Sequence, residues 1–349
     1  MKKIKIITVY GSYNHGSYLQ AKCLFDVLSA YGDVSFIDKK AREWNYFKTP
    51  FMRIKHNLRV NFKHPLRNIK TVAFEYTEAA KSKRNWKKLP SSEDTGCDVC
   101  VLGSDEIWNV KRSDCRLPVF FGDGVSAKKI SYAPSVNTAT EEDFRQYPEF
   151  AEDLRRMDEF GVRDSKTLET VQAVTGRTAE LVLDPTLLRD VPKTGYSRKK
   201  KYIAVYTFDT HIGPEDRVKL REFAREKGCE LVGAGQNILW CDRAVHAKDG
   251  NPFVAYEGAE LIVTSTFHGT AYAVNHRKNF VVLTNHNDKV EELLRLFHLE
   301  DRMIHSADDI RKVANKDIDY TQVNETLRQM RERSFGYLES ALETNKDCE

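Results

Sequence analysis

Short apolar stretches typical of buried strands alternate with longer stretches of helical periodicity along most of the chain. The first run begins with "IKIITVY" (4–10), "SYLQAKCLFDVLSAYG" (17–32) and "DVSFID" (33–38). A second run begins with "YIAVYTF" (202–208) and "PEDRVKLREFAREKG" (214–228). Alternating strands and helices predict parallel sheets, because each parallel connection needs a long crossover, usually a helix. The predicted fold class is therefore α/β, with two doubly wound domains.

The segment "PTLLRDVPKTGYSRKKK" (185–201) separates the two runs, and its proline, glycine, serine and basic residues are typical of a linker. We predict an N-terminal Rossmann-like domain over 1–192, which includes a basic helical excursion over 42–92. A C-terminal Rossmann-like domain follows over 193–320. The remaining residues, 321–349, begin with a long amphipathic helix that we expect to pack back on the N-terminal domain.

Composition and cysteine usage indicate a globular protein of a reducing compartment. The chain is 41% hydrophobic and 30% charged, and no apolar stretch approaches the ~20 residues of a membrane span. The N-terminal "MKKIKIITVY" is a strand pattern rather than a signal peptide. The seven cysteines are odd in number and lack framework spacing, so we expect free thiols in the cytoplasm. We interpret Cys97 and Cys100 as buried strand residues, with redox and metal roles as the minor alternatives.

Twelve lysines and arginines lie between residues 48 and 88, and only Glu75 and Glu78 oppose them there. Aromatic residues are interleaved with the basic ones. One interpretation is a surface for an anionic partner, including a peripheral contact with the inner face of a membrane. The other, which we favour, is a helical excursion with a solvated basic face and a packed aromatic face. No nucleic-acid-binding signature accompanies the charge, so nucleic acid is not a predicted partner.

Polar residues follow several predicted strands, where parallel sheets bind their ligands. Three such stretches are "YGSYNHGSYLQ" (10–20), "LGSDEIWN" (102–109) and "SYAPSVN" (131–137). A glycine turn before a helix presents backbone N–H groups to an anion. Asp105 is a candidate base or hydroxyl anchor, with a helix N-cap as the alternative interpretation. The candidate substrate-binding residues of these stretches are Asn14, Gly16, Gln20, Ser104 and Ser135.

Two further strand ends carry candidate charged groups. Arg163 in "GVRD" (161–164) is suited to grip a phosphate or carboxylate, although an ion pair with Asp164 or another acid is the alternative. His268 in "TSTFHGTAYAV" (264–274) lies on a predicted strand-to-helix turn, where an imidazole can bind phosphate or carry a proton. The candidate substrate-binding residues around it are Ser265, Thr266, Gly269 and Thr270.

Taken together, "NHGSYLQA", "LGSDEIWN", "ISYAPSVN", "GVRD", "LVLDPTLL" and "TSTFHGTAYAV" resemble the polysaccharide pyruvyl transferase family, in the family's order over residues 14–274. The family pattern usually reads GSDQ-x-W, VRE and TDSFHG. This chain retains an acid at Asp164, has Glu106 in place of an amide, and lacks the aspartate of the last motif. The resemblance implies two domains in a GT-B-like arrangement with a cleft between them.

The resemblance also implies an enzyme that transfers a pyruvyl group from phosphoenolpyruvate to a sugar of a polysaccharide or its precursor, forming a ketal. From the chemistry of that transfer, our hypothesis is that His268 binds the donor phosphate and acts as the acid, that Arg163 holds the donor carboxylate or phosphate, and that Asp105 is the acceptor-side base or hydroxyl anchor. No metal site or cofactor is expected beyond phosphoenolpyruvate as donor substrate. Two alternatives remain open: a GT-B-like glycosyltransferase that uses a nucleotide sugar, and a non-catalytic glycan- or polyanion-binding protein. The acceptor's identity and lipid linkage, and the oligomeric state, also stay open.

Overall fold

The structure, a computed structural model, describes residues 1–38, 55, 65–208 and 210–343. Predictions that fall on the other residues, including most of the excursion before residue 65, lie outside the described residues. By their contacts, the described residues within 1–44, 86–189 and 328–349 form a first compact unit. Those within 45–85 and 190–327 form a second unit. Each unit contains one sheet.

The first unit is built on a seven-stranded, fully parallel sheet with the order β3-β2-β1-β4-β5-β6-β7. Its strands are β1 (Lys3–Ile7), β2 (Asp33–Ile37), β3 (Ser91–Ser92), β4 (Val99–Leu102), β5 (Lys128–Tyr132), β6 (Glu159–Val162) and β7 (Glu180–Leu181). The central strand β4 is buried along its whole length, as expected of a parallel sheet covered on both faces. The predicted α/β doubly wound fold is confirmed for this unit.

The helices of this unit follow the predicted spacing, with one interruption. The stretch "ATEEDFRQYPEFAEDLRRMDEFG" (139–161) has helical spacing with Pro148 as its expected interruption. The structure divides it there, because proline has no N–H and takes the first position of a new helix. The helices are α1 (His15–Leu28), α3 (Glu141–Arg145), α4 (Pro148–Arg155) and α5 (Ser165–Thr175). Aromatic side chains fill the core between sheet and helices; the rings of Phe121 and Phe150 stack 4.4 Å apart.

The second unit has the same architecture, with a six-stranded parallel sheet in the order β10-β9-β8-β11-β12-β13. Its strands are β8 (Tyr202–Tyr206), β9 (Glu230–Ala234), β10 (Arg243–Val245), β11 (Leu261–Thr264), β12 (Phe280–Leu283) and β13 (Met303–Ile304). Its helices are α6 (Pro214–Glu226), α7 (Phe267–Asn275), α8 (Asp288–Leu296) and α9 (Ile310–Ala314). The second doubly wound sheet is thereby confirmed, although the short strands β10 and β13 were not predicted.

Helix α2 (Pro65–Trp86) is the described part of the predicted excursion, and its contacts differ from the prediction. Residues 65–85 group with the second unit rather than the first. The reason is visible at Glu78, whose fully buried carboxylate lies 2.7 Å from His246 Nδ1. The Phe74 ring stacks on the same imidazole at 4.1 Å. The buried face of α2 therefore packs against the segment that follows β10.

The last helix, α10 (Tyr320–Leu342), covers the predicted C-terminal pattern. Its residues from Arg328 onward belong to the first unit. There, the Tyr337 hydroxyl donates to the Ser131 carbonyl at 2.8 Å, and Ser334 Oγ accepts from the Leu183 N–H at 2.9 Å. In the described part of the chain, every helix is too short or too polar to cross a membrane.

Candidate functional site

The strand order of the first sheet reverses between β1 and β4, and a polar network follows these two strands. Thr8 Oγ1 donates to the Ser104 carbonyl at 2.9 Å and accepts from Gln20 Nε2 at 3.1 Å. The Ser104 hydroxyl donates to Gln20 Oε1. Gln20 and Ser104 are both fully buried. In the structure, these two candidate substrate-binding residues therefore form hydrogen bonds that support the strand ends from inside the first unit.

Asp105 stands at the edge of this network, partly exposed. Its Oδ2 accepts from Ser17 Oγ at 2.7 Å, and its Oδ1 accepts from the Glu106 N–H at 2.9 Å. The helix N-cap interpretation is wrong, because residues 105–110 form a bridge and turns rather than a helix. Asp105 has φ 74°, and Ala133 and Asn137 each have φ 56°. Such left-handed conformations in non-glycine residues are enriched at functional sites.

The neighbouring strand β5 brings Asn137 to the same edge of the sheet. Asn137 Nδ2 donates to Glu106 Oε2 at 2.8 Å, so the acid that replaces the family's amide has an amide partner. The candidate Ser135 is fully buried, and its Oγ accepts from the Asn137 N–H at 3.0 Å. Ser135 therefore shapes the turn that presents Asn137.

The predicted glycine turn before α1 forms as an N-cap. Asn14 Oδ1 accepts from the Gly16 N–H at 2.8 Å, which satisfies one of the helix's first donors. Gly16 is buried, whereas Asn14 is exposed. Of the candidate substrate-binding residues at this turn, Asn14 is therefore the one whose side chain reaches solvent.

Arg163 forms an ion pair with Asp184, with 3.0 Å between Nη1 and Oδ2, and the two side chains are 5% and 0% exposed. Asp164 instead caps α5 by accepting from the Thr167 N–H at 2.8 Å. Burial lowers the pKa of the Arg163 guanidinium, but the nearby carboxylates, led by Asp184, raise it above its usual value. Of the sequence-based alternatives, the ion pair with another acid is the one observed, and Asp164 is not that acid.

In the second unit, the strand order reverses between β8 and β11. Thr207 directly follows β8 and Ser265 directly follows β11, and their hydroxyl oxygens lie 2.6 Å apart. His211 Nδ1 lies 3.0 Å from Ser265 Oγ. His211 is exposed, and its ring packs edge-on against Phe208 at 5.0 Å. The sequence reasoning missed His211, although "TFDTHIG" (207–213) is one more polar stretch after a strand.

The "TSTFHGT" turn has the predicted strand-to-helix geometry. Thr266 is the N-cap of α7 and accepts from the Gly269 N–H at 3.1 Å. The Thr270 hydroxyl donates to the Thr266 carbonyl at 2.9 Å. A Cβ added at Gly269 would lie 2.0 Å from Thr264 Oγ1. These four residues therefore hold the turn, and His268, partly exposed in the first helical turn, is its side chain suited to a ligand.

One group of metal-ligating side-chain types occurs in the described part of the chain: His286, Asp288 and Glu291 near the start of α8. The imidazole nitrogens lie 2.9 Å from the Asp288 carboxylate and 3.1 Å from the Glu291 carboxylate. His286 and Asp288 are mostly exposed. Contacts among polar side chains at the surface account for this geometry.

A model of the polysaccharide pyruvyl transferase family matches residues 14–243, about two thirds of the chain. The chain therefore belongs to this family of transferases. The matched range includes the strand ends of the first unit and the His211 turn, and it ends before the His268 turn. No curated protein matches the sequence significantly.

Solved structures that resemble the chain share its fold at low sequence identity. The kitacinnamycin glycotransferase has a TM-score of 0.50 at 13% identity and covers 97% of both chains. A putative UDP-N-acetylglucosamine 2-epimerase from Listeria monocytogenes has a TM-score of 0.53 at 8% identity over 96% of this chain and 94% of its own. The UDP-GlcNAc 2-epimerase from Neisseria meningitidis has a TM-score of 0.51 at 8% identity over 99% and 100%. These likenesses establish a GT-B-like fold class and do not identify a substrate.

Proposed function

We propose that this chain transfers a pyruvyl group from phosphoenolpyruvate to a saccharide acceptor and closes it into a cyclic ketal. Family membership over residues 14–243 carries the proposal. Polar side chains at the reversal point of each sheet support it, because open parallel sheets bind ligands there. No cofactor beyond the donor substrate enters the proposal.

His268 is the residue that we assign to the donor. Phosphoenolpyruvate carries a phosphate and a carboxylate, and the start of a helix attracts negative charge. His268 lies in the first turn of α7, where a protonated imidazole can bind the phosphate and deliver a proton to the methylene carbon. That proton transfer makes the adjacent carbon electrophilic toward an acceptor hydroxyl. An acid of this kind contributes about 10²–10⁴-fold to the rate.

Asp105 and Arg163 take separate roles in this proposal. The Asp105 carboxylate is partly exposed and oriented by Ser17, so it is suited to anchor an acceptor hydroxyl. The Arg163 guanidinium is held by Asp184, and we therefore assign it a positioning role as a fixed positive charge beneath the strand ends. Asn14 adds an exposed amide at the start of α1.

The test is phosphate release from phosphoenolpyruvate with a panel of saccharide acceptors, lipid-linked ones included. We expect acceptor-dependent release, a product heavier by the pyruvyl ketal, and loss of both in His268→Ala. His298→Asn is a matched control, because His298 is an exposed histidine with φ 55° at the far end of α8, and asparagine tolerates that conformation. Stabilisation by a nucleotide sugar and not by phosphoenolpyruvate would favour the glycosyltransferase alternative. Glycan binding without turnover in the presence of phosphoenolpyruvate would favour the binding-protein alternative.

The proposal extends to a peripheral contact with an anionic membrane surface through α2. The exposed face of this helix carries Ile69 and Tyr76, which are 65% and 42% exposed, and the exposed Lys83 and Arg84 follow about two turns beyond Tyr76. The two acids of the predicted basic segment, Glu75 and Glu78, are 2% and 0% exposed. Positive charge beside exposed apolar side chains is the pattern of a helix that lies in a membrane interface. Such a contact would place the enzyme beside a lipid-linked acceptor at the inner face of the membrane.

A further inference from the structure

The hydrogen bonds around Ser265 favour the tautomer of His211 that carries its proton on Nδ1. The Thr207 hydroxyl donates to the Phe208 carbonyl at 3.1 Å, and a carbonyl oxygen can only accept. Thr207 has no second proton, so with that bond formed the serine is assigned as the donor in its 2.6 Å contact with Thr207. The single proton of Ser265 is then used. In the 3.0 Å contact between Ser265 Oγ and His211 Nδ1, the imidazole is accordingly assigned as the donor.

This chain of donors leaves the other nitrogen, Nε2, as the proton acceptor of a neutral His211. Ser265 is fully buried, so solvent does not compete for its hydroxyl. His211 itself is exposed. The arrangement is that of a general base: one nitrogen is fixed by a buried partner, and the opposite nitrogen is accessible with its lone pair unused by that partner.

His211 also lies where a ligand of this fold would bind. Thr207 and Ser265 follow β8 and β11, the two strands between which the order of the second sheet reverses. His211 contacts Ser265, which is three residues before His268 in the same strand-to-helix turn. The Ser265 contact thus attaches His211 to the turn that carries His268. Two histidines at one strand edge can divide an acid role and a base role between them.

We propose that His211 is a catalytic residue of the second unit, the base that accepts a proton from an acceptor hydroxyl; this assignment rests on the proposed pyruvyl transfer. In the first step the O–H bond breaks, its proton moves to His211 Nε2, and the oxygen bonds to C2 of the donor. The C2=C3 electron pair takes a proton at C3 from His268. In the second step another hydroxyl oxygen bonds to C2 as the C2–O bond to phosphate breaks, and its proton leaves on the phosphate. His211 then returns its proton to solvent, and His268 regains one.

Ser265, a candidate substrate-binding residue, acquires a different role in this scheme. Its only proton is directed to Thr207 and its lone pair to His211, so it is a positioning residue that sets the imidazole's orientation and tautomer. Ser265→Ala removes the acceptor for His211 Nδ1–H while the catalytic imidazole remains. Ser265→Thr retains the hydroxyl and is the conservative rescue.

The kinetic test compares His211→Gln, Ser265→Ala and Ser265→Thr with the wild type and with the control His298→Asn. We expect His211→Gln to lower kcat by about 10²–10⁴-fold and to remove one limb of the pH profile of kcat/KM. The KM for phosphoenolpyruvate, and the increase in melting temperature that phosphoenolpyruvate produces, should stay within about twofold of the wild-type values. Ser265→Ala should lower kcat by about tenfold, and Ser265→Thr should recover most of it. Wild-type kcat and an unchanged pH profile in His211→Gln would overturn the assignment while leaving the proposed transfer intact.

A second measurement does not depend on turnover. In protein labelled with ¹⁵N-histidine, at a pH where the imidazoles are neutral, the His211 resonance is identified by its absence in His211→Gln. The nitrogen chemical shifts should report the Nδ1–H tautomer in the wild type and a tautomer mixture in Ser265→Ala. An Nε2–H tautomer in the wild type would overturn the inference whatever the activity. An Nδ1–H tautomer in a protein that turns over no acceptor would instead show that the proposed function has failed, and the catalytic role of His211 with it.

Discussion

Arg163 Nη1 lies 3.0 Å from Asp184 Oδ2, and the two side chains are 5% and 0% exposed. Asp184 also accepts from the Thr186 N–H at 3.0 Å through its other oxygen, Oδ1, which caps the short helical turn after β7. The carboxylate therefore joins the end of β6 to the start of the linker. It also determines that Arg163 acts from a buried position and not as a free surface cation.

Breaking this pair should be costly. Asp184→Asn retains the Oδ1 acceptor for Thr186 but removes the carboxylate charge that lies 3.0 Å from the buried Arg163 guanidinium, and we expect it to lower the free energy of unfolding by about 3–5 kcal/mol. Replacing both side chains, as in Arg163→Met with Asp184→Leu, should restore part of that loss, because neither charge of the pair then remains buried. Urea denaturation of the two variants measures this. A loss below about 1 kcal/mol in Asp184→Asn would contradict the geometry.

Sequence patterns were sufficient for the fold class because parallel βαβ units combine two clear periodicities with short turns. They also located the strand ends that carry Asp105 and His268. They were not sufficient for the grouping of α2, since the partner of Glu78 is His246, 168 residues away. Such a long-range contact leaves no local signal in a single sequence.

Substitution of Gly269 tests whether the His268 turn depends on the close approach of the α7 backbone to Thr264. In Gly269→Ala the new Cβ would lie 2.0 Å from Thr264 Oγ1 and 2.8 Å from Thr266 Oγ1, which forces the cap and the strand end apart. We expect a loss of about 1–3 kcal/mol in unfolding free energy, as for other overpacked sites, together with weaker donor binding. The matched control is Gly336→Ala in α10, where nothing lies within 4 Å of the added Cβ.

The control should change stability in the opposite direction, because alanine is favoured over glycine inside a helix by about 1 kcal/mol. Thermal denaturation with and without phosphoenolpyruvate separates the two effects on Gly269→Ala. Equal stability of the two alanine variants would show that the α7 turn has room to relax, and would contradict the proposed close approach.

The hydrogen-bonding roles of several site residues could not be predicted from the sequence. Gln20, Ser104 and Ser265 were predicted as substrate ligands because polar side chains at strand ends are suited to that role. The structure buries all three and uses their hydrogen bonds internally. Conversely, His211 gains its importance from the parallel pairing of β8 with β11, which brings Thr207 beside Ser265. Strand order and register decide this, and neither can be derived from local propensity.

His276, at the C-terminus of α7, should make the protein sensitive to mild acid. Burial lowers the pKa of this imidazole to about 4; of the smaller contributions, the Glu257 carboxylate raises the pKa and the Lys278 ammonium lowers it. The unfolded chain, with an ordinary pKa near 6.5, binds the proton more readily than the folded one. The corresponding stability is therefore complete above about pH 6.5 and falls as the pH decreases from 6.5 toward 4, by at most about 1.4 kcal/mol per pH unit.

The measurement is the unfolding free energy of the wild type and of His276→Gln between pH 4 and pH 7.5. Because other groups titrate in both proteins, the difference between the two curves isolates His276. We expect the wild type to lose stability relative to the variant as the pH falls through this window. Parallel curves would show that the imidazole is protonated without cost in the folded state.

The exposed face of α2 should control binding to anionic membranes. A triple charge reversal at Lys70, Lys83 and Arg84, all exposed, removes the attraction to a negatively charged surface. With about 1 kcal/mol for each basic residue near the surface, we expect binding to vesicles of phosphatidylserine and phosphatidylcholine to fall by at least about 100-fold. Ile69→Ser with Tyr76→Ser should weaken binding separately, because it removes the apolar side chains that would enter the interface.

Two further measurements distinguish vesicle binding through this face of α2 from binding that depends only on the net positive charge of the protein. Binding through the charged residues should decrease with ionic strength and vanish on vesicles of phosphatidylcholine alone. The control variant reverses the charge of three exposed basic residues on three other helices, so its net charge changes by the same amount. These residues are Lys166, Arg225 and Lys312. If that control weakened vesicle binding as much as the α2 reversal does, net charge would be responsible, and α2 would have no special role. Retained binding in the control and loss in the α2 variant would place the contact on the exposed face of α2, where Lys70, Lys83 and Arg84 reach solvent while Glu75 and Glu78 are buried.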